Sequence, residues 1–421
     1  VSRAPVVFLL AFAFIPRAGW TQGHRHRAPD TPIGPEFRVN SYTTADQRGS
    51  FAAGTVGASY HRVFVWTSIE QDGSGLGVFG RVDGSAEFRV NTYTTGYQAD
   101  PSVAIDGNGN FVVVWASDQE GSETGVFGQR FAPSGAPLGP EFRVNTYTPD
   151  NQQQPRVATD ANGNFAVVWT SEDQDGSGAG VFGQRFSSSG APDGPEFRVN
   201  TYTTGFQYRP AVSAAATPNN FVVVWQDGTG PGGGAPGRGV FGQRFATVGV
   251  PLGPEFQVET YTTGFQGAPA IVVQPSGSYV VAWHSEGQDG SDLGIYGQRY
   301  GSSGAPFGSE FRVNTDTTGA QAFPAIATDV AGCFFIAWTS DDGSGTGVIG
   351  KLYDLGNPTD PYRVNTYTTG NQQRPIVASN GDVGTFVIAW ESQDQDGSGY
   401  GIFAQLDNHF VPVELMTLGV E

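Results

Sequence analysis

Seven returns of one sequence pattern predict an all-β chain: a seven-bladed β-propeller of four-stranded antiparallel blades, closed by the N-terminal strand. Tryptophan recurs at Trp66, Trp115, Trp169, Trp225, Trp283, Trp338 and Trp390, each ending an apolar run such as Phe111–Trp115. A second landmark, Glu-Phe-Arg-Val-Asn, begins at Glu36, Glu87, Glu141, Glu196, Glu255 (as Glu-Phe-Gln-Val-Glu) and Glu310, and weakens to Pro-Tyr-Arg-Val-Asn at Pro361. Composition is the third observation. With 61 Gly, 27 Pro, 30 Phe and 15 Tyr in 421 residues, the chain suits many short aromatic strands joined by tight turns. That length exceeds the usual single-domain prior, but repeat folds escape it because each unit packs only on its neighbours.

Residues 1–22 read as a signal peptide, with Arg3 the one early charge before an apolar run from Ala4 to Ile15 that is too short to span a bilayer. Residues 23–33, including His24 and His26, follow as a flexible leader, residues 34–408 form the propeller and 409–421 a C-terminal tail. In the second unit the expected strands are a, Pro101–Asp106; b, Phe111–Ser117; c, Gly125–Phe131; and d, Glu141–Thr146. Strand b is apolar on both faces, as a strand covered above and below must be. Strand d alternates, with Phe142 and Val144 inward and Glu141, Arg143 and Asn145 outward, so d is placed outside and a near the axis. Gly107–Asn110 and Ala161–Asn164 supply the a–b hairpins, and Ser189–Pro192 is a c–d turn. The b–c and d–a loops then share the opposite rim.

The last unit offers only a (Arg374–Ser379), b (Thr385–Trp390) and c (Gly401–Leu406), so Glu36–Asn40 is expected to complete it and remove free sheet edges. Phe410–Met416 is the rival for that outer position.

Forty acidic residues against 22 basic give a net charge of −18, which argues against nucleic acid, whose binders need a basic stripe. The acidic surface suits solubility and attraction of divalent cations. Cys333 is the only cysteine, so no intrachain disulfide forms, and a buried structural thiol is expected.

The consensus EFRVNTYTTGxQxxPxVAxDxxGNFVVVWxSxDQDGSGxGVFGQRF, spanning Glu36 to Gln405, resembles tandem β-propeller repeats of secreted bacterial proteins. Its blade grammar, as in Pro101–Trp115, is also similar to sialidase-like propellers. The Asp-box of those propellers, with Ser, Asp, Gly and Trp between c and d, occurs in no copy, so the resemblance does not extend to their chemistry. The segment Val411–Met416 resembles stretches that precede a C-terminal sorting or anchoring region in secreted bacterial proteins.

On the rim of b–c and d–a loops a glutamine stands five residues after a tyrosine position in every copy. Tyr93 with Gln98, Tyr147 with Gln152, Tyr202 with Gln207, Tyr261 with Gln266 and Tyr367 with Gln372 are the candidate ligand-binding pairs, aromatic faces with amides being a combination that binds sugars. The competing reading is that these amides satisfy loop backbone. The first copy has Tyr42 with Gln47, and the sixth replaces tyrosine by Asp316 beside Gln321. The b–c loops are acidic and glycine-rich, and Asp173, Asp175, Asp394 and Asp396 are the candidate metal ligands, with calcium the cation such loops would take. Solvated turns using Asp and Gly for their backbone preferences are the alternative. Arg130, Arg185, Arg244 and Arg299 in strand c are expected to pair with strand-d carboxylates such as Glu141 and Glu196.

His61, His284 and His409 fall at unrelated repeat positions, so neither a zinc site nor a Ser-His-Asp triad is indicated and no cofactor is required. The function expected is a secreted, extracellular or cell-surface binding or adhesion protein, monomeric and without catalysis, recognising glycan or a surface protein. A structural surface repeat without small-molecule ligand is the alternative. A sialidase-like glycoside hydrolase would need unit-specific residues, which only the divergent loop Asp227–Gly239 offers.

Overall fold

The structure is a computed structural model that describes residues 32–54, 62–119, 121, 123–214, 220–228, 239–246, 249–354, 357–379 and 383–408. Every regular element among them is a strand. Strands follow one plan, repeated four-stranded antiparallel sheets in the order a-b-c-d. In the second repeat these are Gln98–Ile105, Phe111–Ser117, Gly125–Phe131 and Phe142–Arg143. The third and fourth sets are joined by one parallel bridge, Ala179 to Phe206. In the last set Pro32–Arg38 lies antiparallel to Tyr400–Asn408, with Phe37 opposite Ala404 and Arg38 opposite Phe403. The rival segment Phe410–Met416 lies outside the described residues.

The b strands form because β-branched and aromatic side chains fit a pleated surface covered on both sides. Phe111–Ser117 is buried at every position. Neighbouring sheets pack face on face: Val63, Val65 and Val78 of the first repeat meet Val113, Trp115 and Phe127 of the second. Val39, Phe64 and Trp66 meet Ala378, Val387 and Ile402 of the last. All seven repeat tryptophans are at most 2% exposed, and burying each large side chain contributes about 2–3 kcal/mol. Strand a of each repeat lies against strand a of the next, and Gln47–Gly54 lies against Gln372–Ser379.

Four expectations are corrected. Strand a begins at Gln98, not Pro101, because a bulge between Ala99 and Ser102 inserts Asp100 in the left-handed region, φ 53°, just before a proline that has no N–H to pair. Strand d pairs over two residues only. Beyond it the Val144 N–H still reaches the Val126 carbonyl at 2.8 Å, but the Val126 N–H is taken by the side chain of Asn145. Asn145 is therefore buried, not outward as its alternation suggested. The strand-c arginines also look elsewhere: Arg130 donates to the Ser189 carbonyl of the neighbouring hairpin, and Arg185 pairs with Asp193. Glu141 instead accepts from the Thr92 N–H at 2.9 Å and hydroxyl at 2.8 Å, in the preceding repeat. Cys333 is buried, with its thiol donating to Asp354 at 3.3 Å.

Candidate functional site

The d–a loop carries the chain from the outer strand of one sheet to the inner strand of the next, and its shape is set by two amides. Asn145 Oδ1 accepts the Val126 N–H at 2.8 Å while its Nδ2 donates to the Tyr147 carbonyl at 2.7 Å and to Gln152 Oε1 at 3.1 Å. Gln152 Nε2 in turn donates to the carbonyls of Pro149 and Asp150, both at 2.8 Å. Equivalent bonds run from Gln98 to Thr95, Gln207 to Thr204, Gln266 to Thr263 and Gln372 to Thr369. These five glutamines are at most 3% exposed. Buried amides need partners, and here the loop carbonyls provide them, so the glutamines leave the expected ligand set and act as loop staples.

The tyrosines are different. Tyr93 and Tyr202 are 38% and 40% exposed, and Tyr147, Tyr261 and Tyr367 are half-buried. Partial burial, followed by the charges of Asp150, Asp173 and Glu123, holds the Tyr147 hydroxyl above its ordinary pKa. In the sixth copy, where Asp316 replaces tyrosine, a cavity of about 530 Å³ opens beside Trp338, Asp342 and Arg363. Arg363 and Asp342 pair there at 2.7 Å.

The acidic loops use their carboxylates internally. Asp173 Oδ1 accepts from the Gly178 N–H at 3.1 Å, Asp394 Oδ1 from Gly399 at 3.2 Å, and Asp175 Oδ1 from Ser177 at 3.3 Å. Asp396 Oδ2 accepts from Asn40 Nδ2 at 3.2 Å. Among the described residues no group of three His, Cys, Asp or Glu side chains is gathered as a metal site, so the structure does not bring a third such ligand to the Asp173–Asp175 or Asp394–Asp396 pairs.

His284 is 3% exposed. It lies between Phe265 and Phe323, at ring separations of 5.5 and 5.9 Å. Burial, then the nearby Arg209 charge, lowers its pKa to about 3, so it is a neutral core group near pH 7. His61 and His409 lie outside the described residues.

The feature missed at the sequence level lies at the start of strand a, just beyond the d–a loop. Two residues after each loop glutamine, the strand-a bulge holds a left-handed residue: Gly49, Asp100, Gln154, Arg209, Ala268, Phe323 and Arg374, with φ between 47° and 60°. All seven line one cavity of about 460 Å³ together with Phe51, Ser102, Arg156 and the prolines that follow most of the bulges. Only the first is glycine, and each other residue carries a steric cost on the order of 1 kcal/mol or more. Side chains of the preceding repeat brace several of these backbones. The N–H of Arg209 donates to Gln154 Oε1 at 3.0 Å, that of Arg374 to Thr339 Oγ1 at 2.9 Å, and that of Gly49 to Glu391 Oε1 at 2.7 Å. Arg156 lies over the Phe51 ring at 4.5 Å, reaching across from the third repeat to the first. Burial holds the Arg156 guanidinium below its ordinary pKa; Asp100 opposes this and Arg209 adds to it. The available signal was the disagreement among copies: the repeats agree in strand b and differ at this position and at its neighbours in strand a.

No family model and no curated protein matches the chain. Among solved structures it is similar to an α-L-arabinanase of Penicillium chrysogenum complexed with arabinobiose, at 13% identity and TM-score 0.49, over 73% of this chain and 92% of that one. It is also similar to a family-93 α-L-arabinofuranosidase of Fusarium graminearum, at 10% identity and TM-score 0.45, over 73% and 91%. A third is the Aleuria aurantia lectin in complex with a fucosylated N-acetylglucosamine, at 10% identity and TM-score 0.46, over 77% and 97%. Hydrolases and a lectin thus stand together, and likeness of this degree fixes neither ligand nor chemistry.

Proposed function

We propose that the chain is a seven-bladed β-propeller, closed by its N-terminal strand, that serves as a secreted, non-catalytic binding protein for glycan or a cell-surface partner. The pairing of Pro32–Arg38 with the last sheet and the contact between the first and last inner strands support the closed ring. Residues 34–408 then form the propeller, after a signal peptide at 1–22 and a leader at 23–33, with 409–421 as a tail. The observation that carries the binding reading is the ring of seven left-handed bulge residues. A purely structural repeat has no use for seven positions that differ in charge, size and aromaticity at one strained backbone site. A ligand lacking sevenfold symmetry does. Exposed Tyr93 and Tyr202 extend this face outward with the flat aromatic surfaces that sugars stack on.

A glycan array, run with and without a calcium chelator, tests this reading, with binding of at least one glycan class expected. Silence across the array, with no ligand-dependent rise in melting temperature, sinks it in favour of the structural repeat. Binding abolished by the chelator would assign calcium to the Asp173 and Asp394 loops. Turnover on a panel of fluorogenic glycosides would instead make the protein a hydrolase.

A further inference from the structure

We infer that the axial cavity takes a carboxylate-bearing saccharide of the uronate class, gripped by Arg209 and Arg374. This deepens the binding reading above and rests on it. The chain carries a net charge of −18, yet the charged residues of this cavity are three arginines, Arg156, Arg209 and Arg374, and one acid, Asp100. Elsewhere some arginines pair with carboxylates, as Arg62 with Asp83 and Arg363 with Asp342, while others, such as Arg130 and Arg244, donate to backbone carbonyls. Among the described residues none of the three cavity arginines forms an ion pair, although the chain has 40 acids to draw on. Asp100 is the one opposing charge against three positive ones, and an anionic ligand supplies the balance.

The chemistry narrows further. Guanidinium forks match a planar carboxylate with two parallel N–H···O bonds. Arg209 and Arg374 spring from braced, left-handed backbones, so each fork starts from a fixed point on the cavity wall. Arg374 lies over the Phe323 ring at 5.5 Å, which places an apolar aromatic group beside the charge, next to where a pyranose would lie. Asp100 is an acceptor for sugar hydroxyls and repels closely spaced negative charge, so the set favours a hydroxyl-bearing saccharide with one carboxylate per sugar over a polyphosphate.

Titration calorimetry on the full chain tests this with three probes: trigalacturonate, the neutral galactose trimer and inorganic phosphate. The proteins are the wild type, Arg209→Gln with Arg374→Gln, and Asp100→Asn, each checked for native circular dichroism and melting. Trigalacturonate is expected to bind, with the neutral trimer at least about tenfold weaker, and the double arginine variant is expected to lose about a hundredfold. Asp100→Asn, which removes a repelling charge, is expected to tighten uronate binding by about threefold, an effect that damage to the fold would not mimic. Equal binding of both trimers, indifferent to the arginines, overturns this inference and leaves the glycan reading standing. Phosphate binding as tight as uronate overturns the carboxylate class. Binding of no saccharide by the wild type overturns both.

Discussion

Glu36 and Thr366 are 330 positions apart, and the Thr366 N–H and hydroxyl both donate to Glu36 Oε2, at 2.7 and 2.9 Å. The same arrangement links Glu87 to Ser41 and Glu141 to Thr92 in neighbouring repeats. The N-terminal strand thus plays, toward the sixth and last repeats, the part that an internal strand d plays elsewhere. Glu36→Ala and Glu141→Ala are each expected to lower unfolding free energy by about 1–2 kcal/mol, since bonds to a charged group are lost. Urea melts of the two variants check this. A cost at Glu141 with none at Glu36 would show that the N-terminal strand does not lock the last sheet.

Gly128 faces Phe142 so closely that an added Cβ would meet the ring at 2.8 Å. Phe142 also packs on Phe186 at 5.4 Å, so it cannot simply swing away. Gly128→Ala is expected to cost about 1–3 kcal/mol by overpacking. Combining it with Phe142→Leu should cost less than the two single changes added together, and strict additivity in a double-mutant cycle would refute the contact.

Glu259 stands where six other repeats hold asparagine, and it is 4% exposed. Burial raises its pKa to about 7, although Gln257 and the Val240 N–H, bonded at 2.8 and 2.9 Å, pull the other way. Because the folded state holds its proton longer than the unfolded chain, stability is full below about pH 4.5 and falls as pH rises toward 7, by ~3 kcal/mol. Glu259→Gln removes the titrating group. Its stability relative to the wild type should rise by ~3 kcal/mol from about pH 4.5 to 7, and a difference that stays constant across that window would move the effect to another group.

His284 acts in the opposite sense. Its folded pKa lies near 3 against an ordinary 6.5, so its contribution is present above pH 6.5 and is lost as pH falls. By about pH 4 the loss reaches ~3 kcal/mol. Gln226 holds the matching place after the repeat tryptophan in the fourth copy, which makes His284→Gln a compatible change. The stability of the variant relative to the wild type should rise as pH falls from 7 to 4, and a difference that stays constant would rule His284 out as the cause.

The strands were legible wherever one residue type does one job. The tryptophan-ended b strands, buried on both faces, follow from an unbroken apolar run, and the a–b hairpins follow from Asp106–Asn110, where Asp106 Oδ1 accepts the N–H groups of Asn108 and Asn110 at 2.8 and 2.9 Å. Asn145 was misread as outward, and Gln152 kept two readings, because a recurring polar residue looks alike whether it faces solvent or staples a loop. Only the partner decides between the two, and the partner lies seven residues away across a turn.

The sequence by itself determined the repeat, the all-β class and the antiparallel order within each sheet, because these depend on periodicity and turn chemistry acting over a few residues. The strand count had pointed to Glu36–Asn40 beside the last unit, but the tertiary structure alone decided its register, Pro32–Arg38 against Tyr400–Asn408, and that seven residues of six kinds, one from each strand a, line a single cavity. Both depend on bringing together segments hundreds of residues apart. No local pattern encodes that juxtaposition, because it arises when sheets bury their apolar faces on one another.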